Sequence, residues 1–276
     1  MDGSLQRELE VARRVAREAG RILLEVYDTR YEVIEKADDG GPVTIADRRA
    51  NEHLVSALRD AFPGDGVVAE ESPDTSDAGR CARCWYVDPL DGTKEFIRHN
   101  GEFAVHVGLA VDGAPRLGVV YRPVDDRLYA GVVGEGCWLE RGSERRALRM
   151  ASEAPPTLRL ITSRWHRSKK LDAFLAELGV VETIAMGSVG VKCGVLVEGG
   201  ADLYLHASRV SSRWDTCAPE AVVRAAGGVF TDMAGAPYRY DGSEIENRRG
   251  IVACSASVLE RILPVVQKAG RAAGLI

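Results

Sequence analysis

The sequence predicts an α+β fold in two halves, with the functional site between them. Three observations carry this. Between Cys84 and Gly142, apolar runs follow one another closely and are separated by glycine-containing turns, the spacing of an antiparallel meander. Beyond residue 158, strand-like runs alternate with helical patterns, as in wound α/β structure. Between them, MASEAPPT (150–157) interrupts both patterns and marks a boundary between an N-terminal α+β half, 1–150, and a C-terminal α/β half, 151–276.

The elements can be justified in order. In SLQRELEVARRVAREAGRILLEVY (4–27), Leu5, Leu9, Ala12, Ala16, Ala19, Leu23 and Val26 fall on one helical face with Arg and Glu between them. That is an amphipathic helix on a core, and the Arg13-Arg14 pair lacks the apolar run of a secretion signal. EVIEKADDGGPV (32–43) reads as a strand entering a glycine-rich loop. Thr44 then N-caps a second helix with Ile45, Leu54, Leu58 and Phe62 on its apolar side, and PGDG (63–66) stops it. VVAEES (67–72) is a short strand ending in adjacent acids, followed by a polar surface loop over 72–84. The meander comprises CWYVDPL, FAVHVGLAVDG, APRLGVVYRP, DRLYAGVVGEG and GCWLERG. The second half reads RLITSRW, a helix near 168–178, VETIAMG, a helix near 189–199, ADLYLHA, a helix near 215–227, GGVFTD, GIVAC and a final helix.

Bulk properties narrow the function. A net charge of −5 and a pI near 5.7 argue against a nucleic-acid polymer as partner, although bound cations can reverse the local sign for a small anionic substrate. No apolar stretch approaches the length needed to span a bilayer, so the expectation is a cytoplasmic enzyme with no membrane partner. Of six cysteines only Cys81 and Cys84 form a C-x-x-C, and no second pair or zinc-spaced histidines accompany it. Free thiols are expected, with a redox or metal role for that pair left open.

The chemistry concentrates in DPLDGT (88–93). Pro89 and Gly92 are turn residues, but turn chemistry does not call for two aspartates three apart at a strand end. A hard cation does, because Mg²⁺ takes oxygen ligands and is commonly shared between carboxylates and substrate phosphate. Two such ions can activate water and stabilise a leaving oxygen. The acids at apparent element ends are Asp47, Glu70, Asp88, Asp91 and Asp215. The carbonyl of Leu90 lies between two of them, and a helix opening at TKEFI would aim free N–H groups at an anion. Taken singly, each acid reads first as a cap or a solvated turn; DPLDGT together with AEES and VTIAD favours the functional reading.

DPLDGT, preceded by VTIAD (43–47) and AEES (69–72) and followed by WDTCAPE (214–220), resembles the inositol-monophosphatase-like superfamily of Mg²⁺-dependent, lithium-sensitive phosphatases along nearly the whole chain. The resemblance implies a layered αβαβα sandwich of two mixed halves and hydrolysis by metal-activated water without a phosphoenzyme. It implies that Glu70, Asp88, Asp91, Asp215 and the Leu90 carbonyl hold two or three Mg²⁺ ions. Asp47 and Thr93 would orient and deprotonate the water, and the amides of Gly92 and Thr93 would hold phosphate, with Asp215 also facing substrate. KEFIRHNGEF after DGT, TSRWHRS (162–168) and WDTCAPE are similar to the 3′(2′),5′-bisphosphate nucleotidase branch.

That branch implies nucleotide contacts from Ser163, Arg164, His166, Ser188 and Lys192, and a sulfur-assimilation role on 3′-phosphoadenosine 5′-phosphate or its phosphosulfate. Residue by residue, the alternatives are a helix cap for His166, a solvated charge for Arg164 and a solvent-facing lysine at 192. Trp165 is the one tryptophan placed to stack on a base; the other three read as packing. An inositol mono- or bisphosphate phosphatase is the rival assignment, and a non-catalytic nucleotide sensor a more distant one. A monomer or a homodimer is compatible with all of these.

Overall fold

The computed structural model describes residues 4–35, 41–72, 74–165 and 172–276. His166 and part of the helix expected near 168–178 lie outside these residues; within them, 172–179 is almost entirely turn.

Helix α1 (Gln6–Tyr27) leads to the short antiparallel pair β1 (Val33–Glu35) and β2 (Pro42–Thr44), then to α2 (Ile45–Ala61). A seven-stranded sheet follows in the order β3 (Gly66–Ala69), β4 (Arg83–Asp91), β5 (Ala104–Val111), β6 (Ala114–Arg122), β7 (Arg127–Val132), β8 (Gly136–Arg141) and β9 (Glu144–Leu148). The β3–β4 pair is parallel and every other pair antiparallel, so the predicted meander extends from β4 by one strand beyond the sequence reading. That strand, ERRAL, has only its last residue buried, and a solvated edge leaves no apolar signature. A five-residue helix, α3 (Thr93–Ile97), interrupts the chain between β4 and β5.

The second sheet comprises β10 (Leu158–Ser163), β11 (Val180–Met186), β12 (Leu203–His206), β13 (Val229–Thr231) and β14 (Ile251–Cys254) in the order β11-β10-β12-β14-β13. Helices α4 (Val189–Val197) and α5 (Arg213–Ala225) connect its strands, and α6 (Ala256–Ala273) follows the last.

Three apolar clusters define the layers. Leu9, Leu23, Leu54 and Leu58 of α1 and α2 pack on Trp85, Val107 and Val119 of the first sheet. On the other side, Val120 and Tyr129 meet Val191, Ala218 and Val222 of α4 and α5, which also touch Ile161 and Tyr204 of the second sheet. Val258, Ile262 and Val266 of α6 cover that sheet's far face. The result is the expected αβαβα sandwich, and strands buried on both faces explain why β5 reads as a nearly unbroken apolar run. One expectation fails in detail. Ile45 is 49% exposed, because the first residue of α2 turns outward before the apolar stripe begins.

The height of α5 above the first sheet is set by Gly108, Gly118 and Gly131, which face one another across β5, β6 and β7. A Cβ at Gly118 would lie 2.2 Å from the Ala218 carbonyl oxygen, and one at Gly108 would lie 2.6 Å from the Ala218 nitrogen. Helix backbone therefore rests directly on sheet backbone, close to the end that carries Asp215.

Further along α5, Glu220 is fully buried, accepts a hydrogen bond from Tyr240 Oη at 2.7 Å and pairs with Arg224 at 3.2 Å. Burial pushes its carboxyl up to about 7, against the opposing pull of Tyr240 and Arg224. A raised folded-state value favours the fold below the ordinary carboxylate range, and that advantage is lost as pH rises through 7. Glu220→Gln should therefore stabilise the protein at pH 8 by roughly 2 kcal/mol and change little at pH 4. Melting curves at the two pH values check this, and an equal shift at both would contradict it.

Candidate active site

The aspartates of DPLDGT are three apart, so a regular strand would point them to opposite faces. The structure solves this with a bulge: Asp88 pairs with His106 and Asp91 with Ala104, three steps on β4 against two on β5. The extra residue brings both side chains to one side of the sheet. Gly92 follows with φ +102°, a left-handed conformation that glycine adopts without steric cost, and Thr93 opens α3. Parallel pairing of β3 with β4 sets Ala69 opposite Val87, and the Glu70 amide bonds the Val87 carbonyl at 3.1 Å. Glu70 thereby comes beside Asp88.

Asp47 and Asp215 reach the same region by a shared local device. Each is the third residue of a helix and bonds back to the residue that precedes it. The Thr44 amide and Oγ1 bond Asp47 Oδ2 at 2.8 and 2.7 Å, and the Ser212 amide bonds Asp215 Oδ2 at 2.6 Å. TIAD and SRWD are thus capping boxes whose acid spends one oxygen on the cap and keeps the other for the site. The remaining oxygen of Asp47 lies 3.2 Å from Thr93 Oγ1, which is also 3.2 Å from the Leu90 carbonyl.

Four carboxylates now crowd together. Burial, then the charges of Glu70, Asp91 and Asp215, push Asp88 well above the ordinary carboxylate range. Burial, Asp91 and Glu70 do the same to Asp215. Asp91 goes the other way: burial alone would raise it, but His106, Lys192 and Ser188 outweigh this and hold it at about 2. Asp47 is pushed up to about 6 by burial, moderated by its bonds to Thr44. An all-oxygen set whose members repel one another is stabilised by a hard divalent cation, so Glu70, Asp88, Asp91 and Asp215 fit a metal centre.

These groups open onto a cleft of about 240 Å³ between the two sheets, whose lining includes Glu70, Asp91, Gly92, Thr93, Ser163, Ser188, Lys192 and Asp215. Of the sequence-predicted residues, those eight line the cleft and Asp47, Asp88 and Leu90 adjoin it through Thr93 and the acidic cluster, while His166 lies outside the described residues; two roles need qualification. Arg164 does not line the cleft; its Nη2 is held by both oxygens of Glu102 at 2.7 Å and by the Ala185 carbonyl at 3.0 Å. Lys192 is buried instead of solvent-facing, and its Nζ donates to the carbonyls of Gly187 and Ser188 at 3.1 and 2.6 Å. It pins a turn in which Ser188 has φ +51° and donates Oγ to Asp91 at 2.6 Å.

Trp165 lines the cleft with Nε1 on Glu95 Oε1 at 2.5 Å and the Arg98 guanidinium 4.0 Å from its ring centre. Tyr204, His206 and Ser211, also in the lining, were not singled out from sequence. The period of two in LYLH could have paired Tyr204 with His206 on one strand face. All six cysteines are free, and burial pushes Cys84 up to about 12, which removes thiolate character from half of the C-x-x-C. No helix among the described residues is long and apolar enough to cross a membrane.

Comparison with known proteins agrees with this geometry. A model of the inositol monophosphatase family matches residues 4–271. The 3′(2′),5′-bisphosphate nucleotidase CysQ of Escherichia coli K12 is 38% identical over 233 residues, covering 83% of this chain and 92% of that protein. Rat inositol monophosphatase 1 is 27% identical, with 90% of each chain covered. The crystal structure of CysQ from Bacteroides thetaiotaomicron, a bacterial member of the inositol monophosphatase family, superposes with a TM-score of 0.76 at 32% identity over 91% of this chain and 97% of that one. A match along almost the full chain, joined to a cleft that assembles the motif residues, makes this protein an enzyme of phosphate-ester hydrolysis that belongs to the inositol monophosphatase family.

Proposed function

We propose that the enzyme is a Mg²⁺-dependent 3′(2′),5′-bisphosphate nucleotidase that hydrolyses the 3′-phosphate of 3′-phosphoadenosine 5′-phosphate to AMP and phosphate, and accepts the 5′-phosphosulfate analogue. The observation that carries the reading is the Thr93–Asp47 contact at 3.2 Å beside the four-carboxylate cluster. The CysQ of E. coli, named for this activity, supports the choice of substrate.

When bound, Mg²⁺ supplies charge neutralisation and lowers the pKa of water. Thr93 Oγ1 donates to Asp47 and can accept from an attacking water, so the pair orients it. A carboxyl near 6 is suited to take up that proton at neutral pH. The water oxygen bonds to phosphorus, the bond between phosphorus and the 3′ oxygen breaks while the C–O bond stays intact, and the leaving oxygen takes a proton from solvent water to become the ribose hydroxyl. The Gly92 and Thr93 amides are assigned to the phosphate and Ser163, at the end of β10, to the nucleotide, a division supported by all three residues lining the one cleft. Among the substrate-side cations, Lys192 acts by fixing the Gly187–Ser188 turn. Lithium inhibition and a place in sulfur assimilation belong to the same reading.

Phosphate release from 3′-phosphoadenosine 5′-phosphate and from inositol 1-phosphate, each with Mg²⁺ and with EDTA, tests it. The expected result is Mg²⁺-dependent turnover with at least about a tenfold preference for the nucleotide in kcat/KM, some 1.4 kcal/mol. Preference for the inositol ester would leave the metal chemistry standing and remove the nucleotide assignment.

A further inference from the structure

His106 was not among the residues expected from sequence to matter, because AVHVGLAV reads simply as a core strand. In the structure its imidazole is completely buried on β5, directly opposite Asp88. Neither ring nitrogen has a well-aligned hydrogen-bond partner among the described residues. Nε2 nevertheless lies 3.1 Å from Asp91 Oδ2, so the contact is electrostatic, at ion-pair distance and off the ideal hydrogen-bond direction. A buried imidazole in this state is costly unless it serves something.

What surrounds it identifies the service. Ser188 Oγ and the Gly190 amide donate to that same Oδ2 at 2.6 and 3.1 Å. Gly190 is also what admits the ring, since a Cβ there would lie 2.1 Å from Nε2. Three groups from β5 and the start of α4 thus converge on one oxygen of Asp91, and His106 is absent from the cleft lining while Asp91 is part of it. A carboxylate facing Asp88 and Asp215 is repelled by both, and a polar wall behind it opposes that displacement.

We propose that His106 is a positioning residue of the cation centre: with Ser188 and Gly190 it anchors Oδ2 of Asp91 and leaves Oδ1 for the ion. This rests on the metal-dependent reading above and adds to it a residue that touches neither substrate nor metal. Partners behind a metal ligand typically alter affinity by about 10–100-fold when removed.

The test is Mn²⁺ titration of the full-length protein followed by EPR, for wild type, His106→Ala and His106→Gln. The expected result is a Kd at least about tenfold weaker for His106→Ala, with recovery in His106→Gln, whose amide N–H end can set a positive dipole against Oδ2. The half-saturating Mg²⁺ concentration should rise more than kcat at saturating Mg²⁺ falls. A lowered melting temperature with unchanged Mn²⁺ affinity in both variants would make His106 structural and overturn the proposal. Pulsed EPR showing a directly bound imidazole nitrogen that His106→Gln removes would overturn it too, by making His106 a ligand. Absence of Mn²⁺ binding to wild type would instead remove the metal reading itself, so the two failures are distinguishable. Should His106→Ala not fold, His106→Leu, which fills the same space but cannot donate, takes its place: weakened Mn²⁺ binding restored in His106→Gln would sustain the proposal, and wild-type affinity in His106→Leu would overturn it.

Discussion

Asp88→Asn is expected to abolish phosphate release while raising the melting temperature of the metal-free protein, and Asp91→Asn to abolish it while lowering that temperature. Both remove a charge from the centre that balances the cation, and a loss of at least about a thousandfold, roughly 4 kcal/mol of barrier, is expected for each. The stability effects differ because the two carboxyls sit in opposite environments. Asp88 is raised by burial and by three neighbouring carboxylates, so its ionised form opposes folding at neutral pH. An asparagine keeps an oxygen for the Leu90 amide, now 2.9 Å from Asp88 Oδ1, and removes the repulsion. The gain should be present at pH 7 and vanish below the ordinary aspartate value, where Asp88 is protonated in both states.

Asp91 is instead held near 2, as His106, Lys192 and Ser188 overcome its burial. Its ionised form favours the fold above pH 4, and that contribution is lost as pH falls towards 2. Asp91→Asn forfeits it at neutral pH, by roughly 2 kcal/mol, and leaves the buried Lys192 without its counter-charge. Melting in EDTA at pH 7 reads both signs. Equal signs would mean that the two aspartates share one environment, contrary to the bulged geometry that separates their partners.

Gly118→Ala is expected to cost about 1–3 kcal/mol and to reduce turnover about a hundredfold, although the site lies beyond its reach. Its new methyl would sit 2.2 Å from the Ala218 carbonyl oxygen and 2.9 Å from Ala218 Cα. The obstacle is helix backbone, so no side-chain rotation relieves it and α5 must lift from the sheet. Asp215 is three residues from Ala218 on that helix, and an ångström of displacement takes its carboxylate away from Asp88 and Asp91. Gly64→Ala, where nothing lies within 4 Å of the added methyl, is the control. Weakened metal binding in Gly118→Ala alone would tie the glycine row to the site; lost stability with intact metal affinity would confine it to packing.

Much of this protein was legible in its sequence because the relevant signals are local. A strand, a Pro-Gly-punctuated turn and a helix start are written within DPLDGTKEF, and each capping acid lies three residues from its Thr or Ser. Closely spaced apolar runs broken by glycine turns placed the meander, and a period of 3.6 placed the amphipathic α1, since each signal lies within one stretch of chain. The solvated edge strand ERRAL offered no such pattern and was missed.

Tertiary structure alone decided the rest. Whether Asp88 and Asp91 share a face depends on a bulge defined by β5, and spacing on β4 by itself argues against it. The importance of Gly108, Gly118 and Gly131 appears only when three strands lie in register beneath one helix. The resemblance of TSRWHRS assigns Arg164 to the nucleotide, yet Glu102, sixty-two residues away in sequence, holds it. His106 looked like any strand residue until α4 brought Ser188 and Gly190 to the same carboxylate. Sequence determined which groups can ionise, cap or turn, because those are properties of a residue and its near neighbours. Only the fold decided which of them meet, because long-range contact is set by packing distance and register.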